Sequence, residues 1–231
     1  MRKLGLIGGM SWVSTRTYYE HLNRIVRSRV GPLASAPLLI ESLDFSDLAR
    51  LSSDEEWAHA TGVLIDSARR LETAGAGALI IGANSMHKVY DEVAAAVSVP
   101  ILHIADCVGV RMARDAVKSA ALIGTRNVMT EGFYRQRLIE HGITLLPPVM
   151  DDVAQIDRII YDELMQGKVS RSAERVLKTI ITTREQAGAK AIVLACTELE
   201  AVVDVDANVL PIYDGTRIHA EAAADWILSD T

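Results

Sequence analysis

The stretch Ala74-Gly75-Ala76-Gly77-Ala78-Leu79-Ile80-Ile81-Gly82-Ala83-Asn84-Ser85 decides the fold, because the chain writes it twice. The second version is Ala187-Gly188-Ala189-Lys190-Ala191-Ile192-Val193-Leu194-Ala195-Cys196-Thr197-Glu198, aligned without a gap. Working outward, Leu6-Ile7-Gly8-Gly9 is matched by Leu122-Ile123-Gly124-Thr125, and Tyr18 by Tyr134. Downstream, Val99-Pro100-Ile101 is matched by Leu210-Pro211-Ile212. Chance supplies one such match readily. Three in the same order at nearly one offset imply two copies of one α/β unit.

Within each copy, short apolar runs bounded by glycine or polar residues read as buried parallel strands. They are expected at Leu4–Ile7, Pro37–Glu41, Ala78–Ile81 and Ile101–Ile104, then at Ala120–Ile123, Thr144–Leu146, Ala191–Leu194 and Val209–Ile212. Helical patterns lie between them: Glu56 to Thr73, Asp151 to Met165, Arg171 to Ala187 and Thr216 to Leu228. Strands alternating with helices specify a parallel sheet covered on both faces. The expected division is a first domain over 1–115, completed by the C-terminal helix 214–231, and a second over 116–213. Two such sheets of similar topology suggest a pseudo-twofold molecule.

Composition narrows the function classes. Of 231 residues, 49% are hydrophobic and 23% charged, which excludes disordered, collagen-like and coiled-coil chains. The net charge is −6 and no basic patch stands out, so no nucleic-acid partner is expected. No apolar run approaches the ~20 residues of a membrane span. Met1-Arg2-Lys3 before Leu4 to Met10 has the outline of a signal peptide, but the apolar part is short and ends in Ser11-Trp12 without a small-residue cleavage site. Two cysteines make no disulfide framework, so the expected location is the reducing cytoplasm. The six histidines show no metal-ligand spacing, and no metal is expected. Neither a Gly-x-Gly-x-x-Gly fingerprint nor a Walker pattern is present.

Ligands of open α/β sheets bind at the carboxyl ends of the strands. Four such ends here are polar: Gly8-Gly9-Met10-Ser11, Gly82-Ala83-Asn84-Ser85, Gly124-Thr125-Arg126-Asn127 and Ala195-Cys196-Thr197-Glu198. Copies facing each other would bring all four to one cleft, with position 83 and Cys196 on opposite walls. A cysteine between a strand and a helix start is expected to have a lowered pKa. Backbone N–H groups at such a turn hold a carboxylate, and Asn84, Ser85 and Thr197 add short polar groups. A thiolate beside a bound carboxylate is a candidate base for an α-proton. Cys107, in Ala105-Asp106-Cys107-Val108, has no such context and reads as a packed helix residue. Trp12, Tyr18 and Tyr19 open a helix and read as packing residues.

These residues, taken together, resemble the cofactor-independent aspartate/glutamate racemase family over essentially the full length. The likeness is carried by Gly8-Gly9-Met10-Ser11-Trp12, Ala83-Asn84-Ser85-Met86-His87-Lys88-Val89, His103-Ile104-Ala105-Asp106, Leu122-Ile123-Gly124-Thr125, Cys196-Thr197-Glu198 and Ile218-His219-Ala220-Glu221. The resemblance implies two flavodoxin-like domains with an active-site cleft between them, a homodimer, no pyridoxal phosphate or other cofactor, and racemisation of aspartate or glutamate. It further implies Cys196 as the catalytic thiol, with Met10, Ser11, Asn84, Ser85, Thr125, Thr197, Glu198 and Lys168 around an amino-acid substrate. Lys168 either meets the substrate's side-chain carboxylate or is a solvated turn lysine. Arg126 poses the same choice, tilted toward structure, and Arg50 lies in a loop that covers the cleft in relatives. His87 either donates or orients at the site, or packs in its first turn; His103 and His219 read as supporting residues.

The departure from the pattern matters as much as the match. The typical family pattern has a cysteine in both copies, with threonine at the first position in some relatives, and here the first is Ala83, as the internal repeat shows independently. A symmetric two-thiol shuttle therefore cannot operate. One face of the substrate would meet Cys196, and the other would need Ser85, His87 or a water held by Asn84. The expectation is a slow or one-way racemase. Two other classes stay open: a lyase resembling the arylmalonate decarboxylases, which set one catalytic cysteine opposite a small residue, and an inactive carboxylate-binding protein.

Overall fold

The computed structural model describes residues 1–229. Among these, eight strands form two parallel four-stranded sheets. The first contains β1 (Leu4–Gly8), β2 (Leu38–Ser42), β3 (Ala78–Ile81) and β4 (Ile101–Leu102) in the order β2-β1-β3-β4. The second contains β5 (Ser119–Gly124), β6 (Thr144–Leu145), β7 (Ile192–Ala195) and β8 (Ile212–Asp214) in the order β6-β5-β7-β8. The orders are the same, as an internal repeat requires. The match extends to single bonds: Leu79 N–H donates to the Pro100 carbonyl and Ile192 N–H to the Pro211 carbonyl, both at 2.9 Å.

The helices are α1 (Trp12–Val30), α2 (Asp54–Thr73), α3 (Tyr90–Ala95), α4 (Ile104–Arg114), α5 (Arg126–Thr130), α6 (Gly132–Glu140), α7 (Met150–Asp162), α8 (Arg171–Gln186) and α9 (Gly215–Leu228). Each sheet buries both faces, because successive strand side chains alternate. In the first sheet Ile7, Leu79 and Ile81 pack with Trp57, Leu64 and Ala68 of α2. Leu4, Leu6 and Ile80 pack on the other side with Tyr18 and Leu22 of α1 and Ala220, Ala224 and Ile227 of α9. In the second sheet Ile123, Ile192 and Leu194 meet α7 and α8. Leu122 and Val193 meet Ile104, Val108 and Met112 of α4 and Tyr134 and Leu138 of α6. The paired tyrosines of the repeat, Tyr18 and Tyr134, are both fully buried. Of the described helices, none is long and apolar enough to cross a membrane.

Packing divides the chain into Met1–His103 with His219–Thr231, and Ile104–Ile218. This packing division falls at 103/104 and 218/219, beside the expected 115/116 and 213/214, and it too joins the C-terminal helix to the first unit. Each sheet is covered by the helix that follows the other sheet's last strand, so α4 moves to the second unit and α9 divides after Ile218. Two smaller corrections follow from local chemistry. The last strand starts at Ile212 instead of Val209, since Pro211 has no N–H to give and enters the ladder only through its carbonyl. Trp12 and Tyr19 are exposed at 66% and 52%. The buried stripe of α1 runs through Ser14, Tyr18, Leu22 and Val26, which turns positions 12 and 19 outward.

The first unit encloses three histidines, His87, His103 and His219. The rings of His87 and His103 are 4.5 Å apart and those of His87 and His219 5.9 Å. A carbonyl only accepts, so His219 Nε2–H donates to the Leu102 carbonyl at 2.9 Å, and the Tyr18 hydroxyl donates to Nδ1 at 2.8 Å. These roles are those of the neutral imidazole, in which Nδ1 accepts. Burial pulls the His219 pKa down to about 4, against a smaller upward push from the Leu102 bond. The unfolded chain therefore binds the extra proton first, and stability falls as pH drops from about 6.5 toward 4, by about 3 kcal/mol. Thermal unfolding followed across that window is expected to be flatter for His219→Gln. An unchanged slope would remove His219 from the acid sensitivity.

Candidate active site

In the first unit the ends of β1 and β3 supply Met10, Ser11, Ala83, Asn84 and Ser85. The β1 turn is set by Gly9, which has φ +85° and packs so closely that a Cβ would lie 2.1 Å from the Leu43 carbonyl oxygen. Only glycine fits there. Its N–H donates to Thr15 Oγ1 at 2.6 Å, and the Thr15 hydroxyl donates to the Ser11 carbonyl at 3.1 Å. Met10 and Ser11 are buried behind this turn, joined by a cis peptide bond. Ala83 is buried in the cluster that holds Met10, Leu48, Trp57 and Met86. The Ala83 carbonyl accepts from His87 Nδ1 at 2.9 Å. His87 is 1% exposed and lies against His103, so it packs into the interior of its unit and orders the turn.

Asn84 begins a short 3-10 turn, Ser85–Val89, and is 5% exposed. Neither its Nδ2 nor its Oδ1 has a hydrogen-bond partner among the described residues. A buried amide with both ends unmatched costs free energy unless something completes it. Ser85 is half-buried beside it.

In the second unit β5 and β7 deliver Thr125, Cys196, Thr197 and Glu198. Gly124 lets the two strand ends meet, since a Cβ there would sit 2.6 Å from the Ala195 carbonyl oxygen. Cys196 follows β7, is 6% exposed, and precedes a 3-10 turn over Thr197–Ala201. Cys196 Sγ–H donates to Glu198 Oε2 at 3.1 Å, and Thr197 Oγ1–H donates to the same oxygen at 2.7 Å. Thr125 begins α5, and its buried Oγ1 has no partner among the described residues.

The electrostatics reverse one expectation. Cys196 is pushed well above the ordinary thiol range, first by burial and then by the charge of Glu198, with Asp157 adding to it. The helix-dipole argument fails because the following turn has five residues and a carboxylate folds back onto the sulfur. Cys196 therefore rests as a thiol. Cys107, half-buried on α4, is also raised, to about 12 by burial.

Asp157 on α7 is the residue that sequence reasoning missed. Its Oδ1 accepts from the Arg126 backbone N–H at 2.8 Å, which ties α7 to the start of α5. The only signal in the sequence is its place beside Ile156 and Ile160 on the buried edge of α7. The Arg126 side chain itself is exposed. Lys168 is exposed too, its Nζ donating to Gln166 Oε1 at 2.9 Å. The 3-10 turn Leu164–Gln166 just before it packs against the Thr197–Ala201 turn. Arg50 lies exposed in its loop with φ +57°. Among the described residues, no group of three His, Cys, Asp or Glu side chains is arranged to hold a metal ion.

A broad specificity amino-acid racemase, RacX of Bacillus subtilis (strain 168), is 23% identical over 221 residues, covering 87% of this chain and 96% of its own. A crystal structure from Yersinia pestis, assigned to the Asp/Glu racemases, is 39% identical with a TM-score of 0.91, covering 99% of this chain and 100% of its own. The structure of an aspartate racemase homologue from Pyrococcus horikoshii OT3 is 30% identical with a TM-score of 0.86, again covering 99% and 100%. The family model for Asp/Glu/hydantoin racemases matches residues 7–223, and the chain belongs to that family.

Proposed function

We propose that the protein is a cofactor-independent racemase of an acidic amino acid, aspartate or glutamate, in which Cys196 carries the Cα proton. Family membership supports amino-acid racemase chemistry. The observation that carries the finer reading is Cys196 itself. It is a buried thiol at a strand end, hydrogen-bonded to Glu198, within a segment the chain repeats around Ala83. General acid–base transfer needs a group within hydrogen-bond reach of a second proton carrier. Cys196 has that partner, while Ala83 has no acid–base function. In the unit that carries Cys196, the unmatched Thr125 hydroxyl is a polar group able to hold the substrate's carboxylate.

The test is proton NMR in deuterated buffer with L- and D-aspartate and L- and D-glutamate in separate tubes. The Cα–H signal of one enantiomer is expected to disappear faster than that of its mirror image. No loss from any of the four would overturn the acidic-substrate reading.

A second reading is favoured by one observation, a Cys196 thiol hydrogen-bonded to Glu198 whose counterpart in the repeat is Ala83. A resting thiol suits delivery of a proton to one face of an enediolate, as in a cofactor-free decarboxylase. Carbon dioxide release from a malonate-type diacid separates the two.

A further inference from the structure

The two sheets differ along one edge. In the first, β2 pairs with β1 through five residues, from Leu4 with Leu38 to Gly8 with Ser42. In the second, β6 pairs with β5 only at Ser119 with Thr144 and Ala120 with Leu145. The Leu146 N–H still donates to the Ala120 carbonyl at 3.0 Å. Pro147 and Pro148 follow, and neither has an N–H to carry the ladder on. Ala121 to Ile123 therefore pair with β7 on one side and have no strand beside them on the other. A crevice of about 330 Å³, part of it open to solvent, borders that stretch. Its apolar walls include Val153 and Ile156 of α7 and Ile180 of α8, and the exposed residues Pro147 to Val149 form its rim. Thr125, Cys196, Thr197 and Glu198 do not line it.

Three charged side chains reach this apolar crevice: Arg135 of α6, Asp152 of α7 and Arg184 of α8. Arg184 Nη2 stands 3.0 Å from Asp152 Oδ2, an ion pair whose angles make no hydrogen bond. That oxygen and Arg184 Nε are both buried without a hydrogen-bond partner among the described residues. Arg135 reaches two backbone carbonyls, those of Met129 and Leu146, at 3.3 Å each. A guanidinium has five N–H donors, so Arg135 keeps donors to spare. Burial pulls its pKa down, and no carboxylate offsets the loss of water around it. Asp152 balances one of the two cations, which leaves one positive charge in excess.

We propose that this crevice is a binding site for a small monocarboxylate with a short apolar chain, its carboxylate held by Arg135 and Arg184 and its chain by Ile156 and Ile180. Guanidinium and carboxylate match in shape as well as charge, since two parallel N–H groups meet two oxygens. An amine would meet two cations here. Aspartate or glutamate would bring an ammonium and a second carboxylate against apolar walls, which costs free energy. The ligand class is therefore unlike that proposed for the Cys196 site.

The experiment uses the full-length protein with isovalerate, and with 3-methylbutylamine, which carries an ammonium on the same branched chain. Saturation-transfer NMR is expected to show saturable isovalerate binding with a dissociation constant of about 1–10 mM, fitting so small a ligand. At about tenfold excess over that constant the thermal unfolding midpoint is expected to rise by about 3 °C. The amine is expected to do neither. Arg135→Gln is expected to weaken isovalerate binding by about tenfold or more. Val149→Trp, at an exposed rim position, is expected to close the crevice without touching its charges, so it decides the matter if Arg135→Gln does not fold. Thr125→Ala is expected to bind like the parent. The proposal is overturned by no saturable binding to the parent, by amine binding as strong as that of isovalerate, or by undiminished binding in either crevice variant. Loss of binding in Thr125→Ala would put the carboxylate at the strand ends instead and overturns it too.

Discussion

Cys196→Ala is expected to reduce Cα–H exchange by roughly 10²- to 10⁴-fold, the range that a positioned acid–base group contributes. The loss follows from the arrangement around the sulfur. Thr197, the adjacent side chain, is a hydroxyl already donating to Glu198, and Ala83, the counterpart of Cys196 in the repeat, has no proton to transfer. The variant removes one buried sulfur from the cluster that contains Leu194 and Leu199, so its stability cost is small, about 1 kcal/mol. Thermal unfolding should therefore stay close to wild type while exchange disappears. A variant that retains exchange would show that the thiol is a packed hydrophobe, as many free cysteines are.

Ala83→Cys is expected to act in the other direction and raise net inversion by about tenfold or more. The repeat makes residue 83 the counterpart of Cys196, and the exchange adds a thiol where the first copy has none. The new sulfur enters a buried place near Met10 and Met86, with an overpacking cost of about 1–3 kcal/mol. The added thiol has Ser85 where Cys196 has Glu198, so it lacks the carboxylate that raises its counterpart. Inversion should consequently rise more than exchange does. Chiral chromatography of a single-enantiomer reaction measures it, and an unchanged inversion rate would argue that the missing cysteine is not what limits the protein.

The repeat made the fold legible. Leu6-Ile7-Gly8 and Leu122-Ile123-Gly124 fall in β1 and β5, and the two glycine-punctuated runs give β3 and β7. The shared sheet order then follows from two copies of one unit. What failed depends on contacts distant in sequence. The helices α4 and α9 each pack on the sheet of the other copy, which no local periodicity encodes. Trp12 and Tyr19 belong to a helix whose buried stripe is set by Tyr18 and Leu22, and aromatic character alone does not reveal that side. The motifs located Cys196, Thr197, Glu198 and Thr125 at strand ends of the second unit and Asn84 at a strand end of the first. The direction of the thiol's pKa was not legible, because it depends on burial and on how one carboxylate folds back. Asp157 stands far from Cys196 along the chain, and only the fold brings α7 to the start of α5, where Asp157 accepts from the Arg126 N–H.

The most direct test of the account follows one enantiomer in deuterated buffer, reading Cα–H loss by NMR and chirality by chromatography from the same tube, with Cys196→Ala alongside. A site with one thiol predicts exchange running ahead of inversion in the wild type and both lost in the variant. Exchange that survives in Cys196→Ala would contradict it.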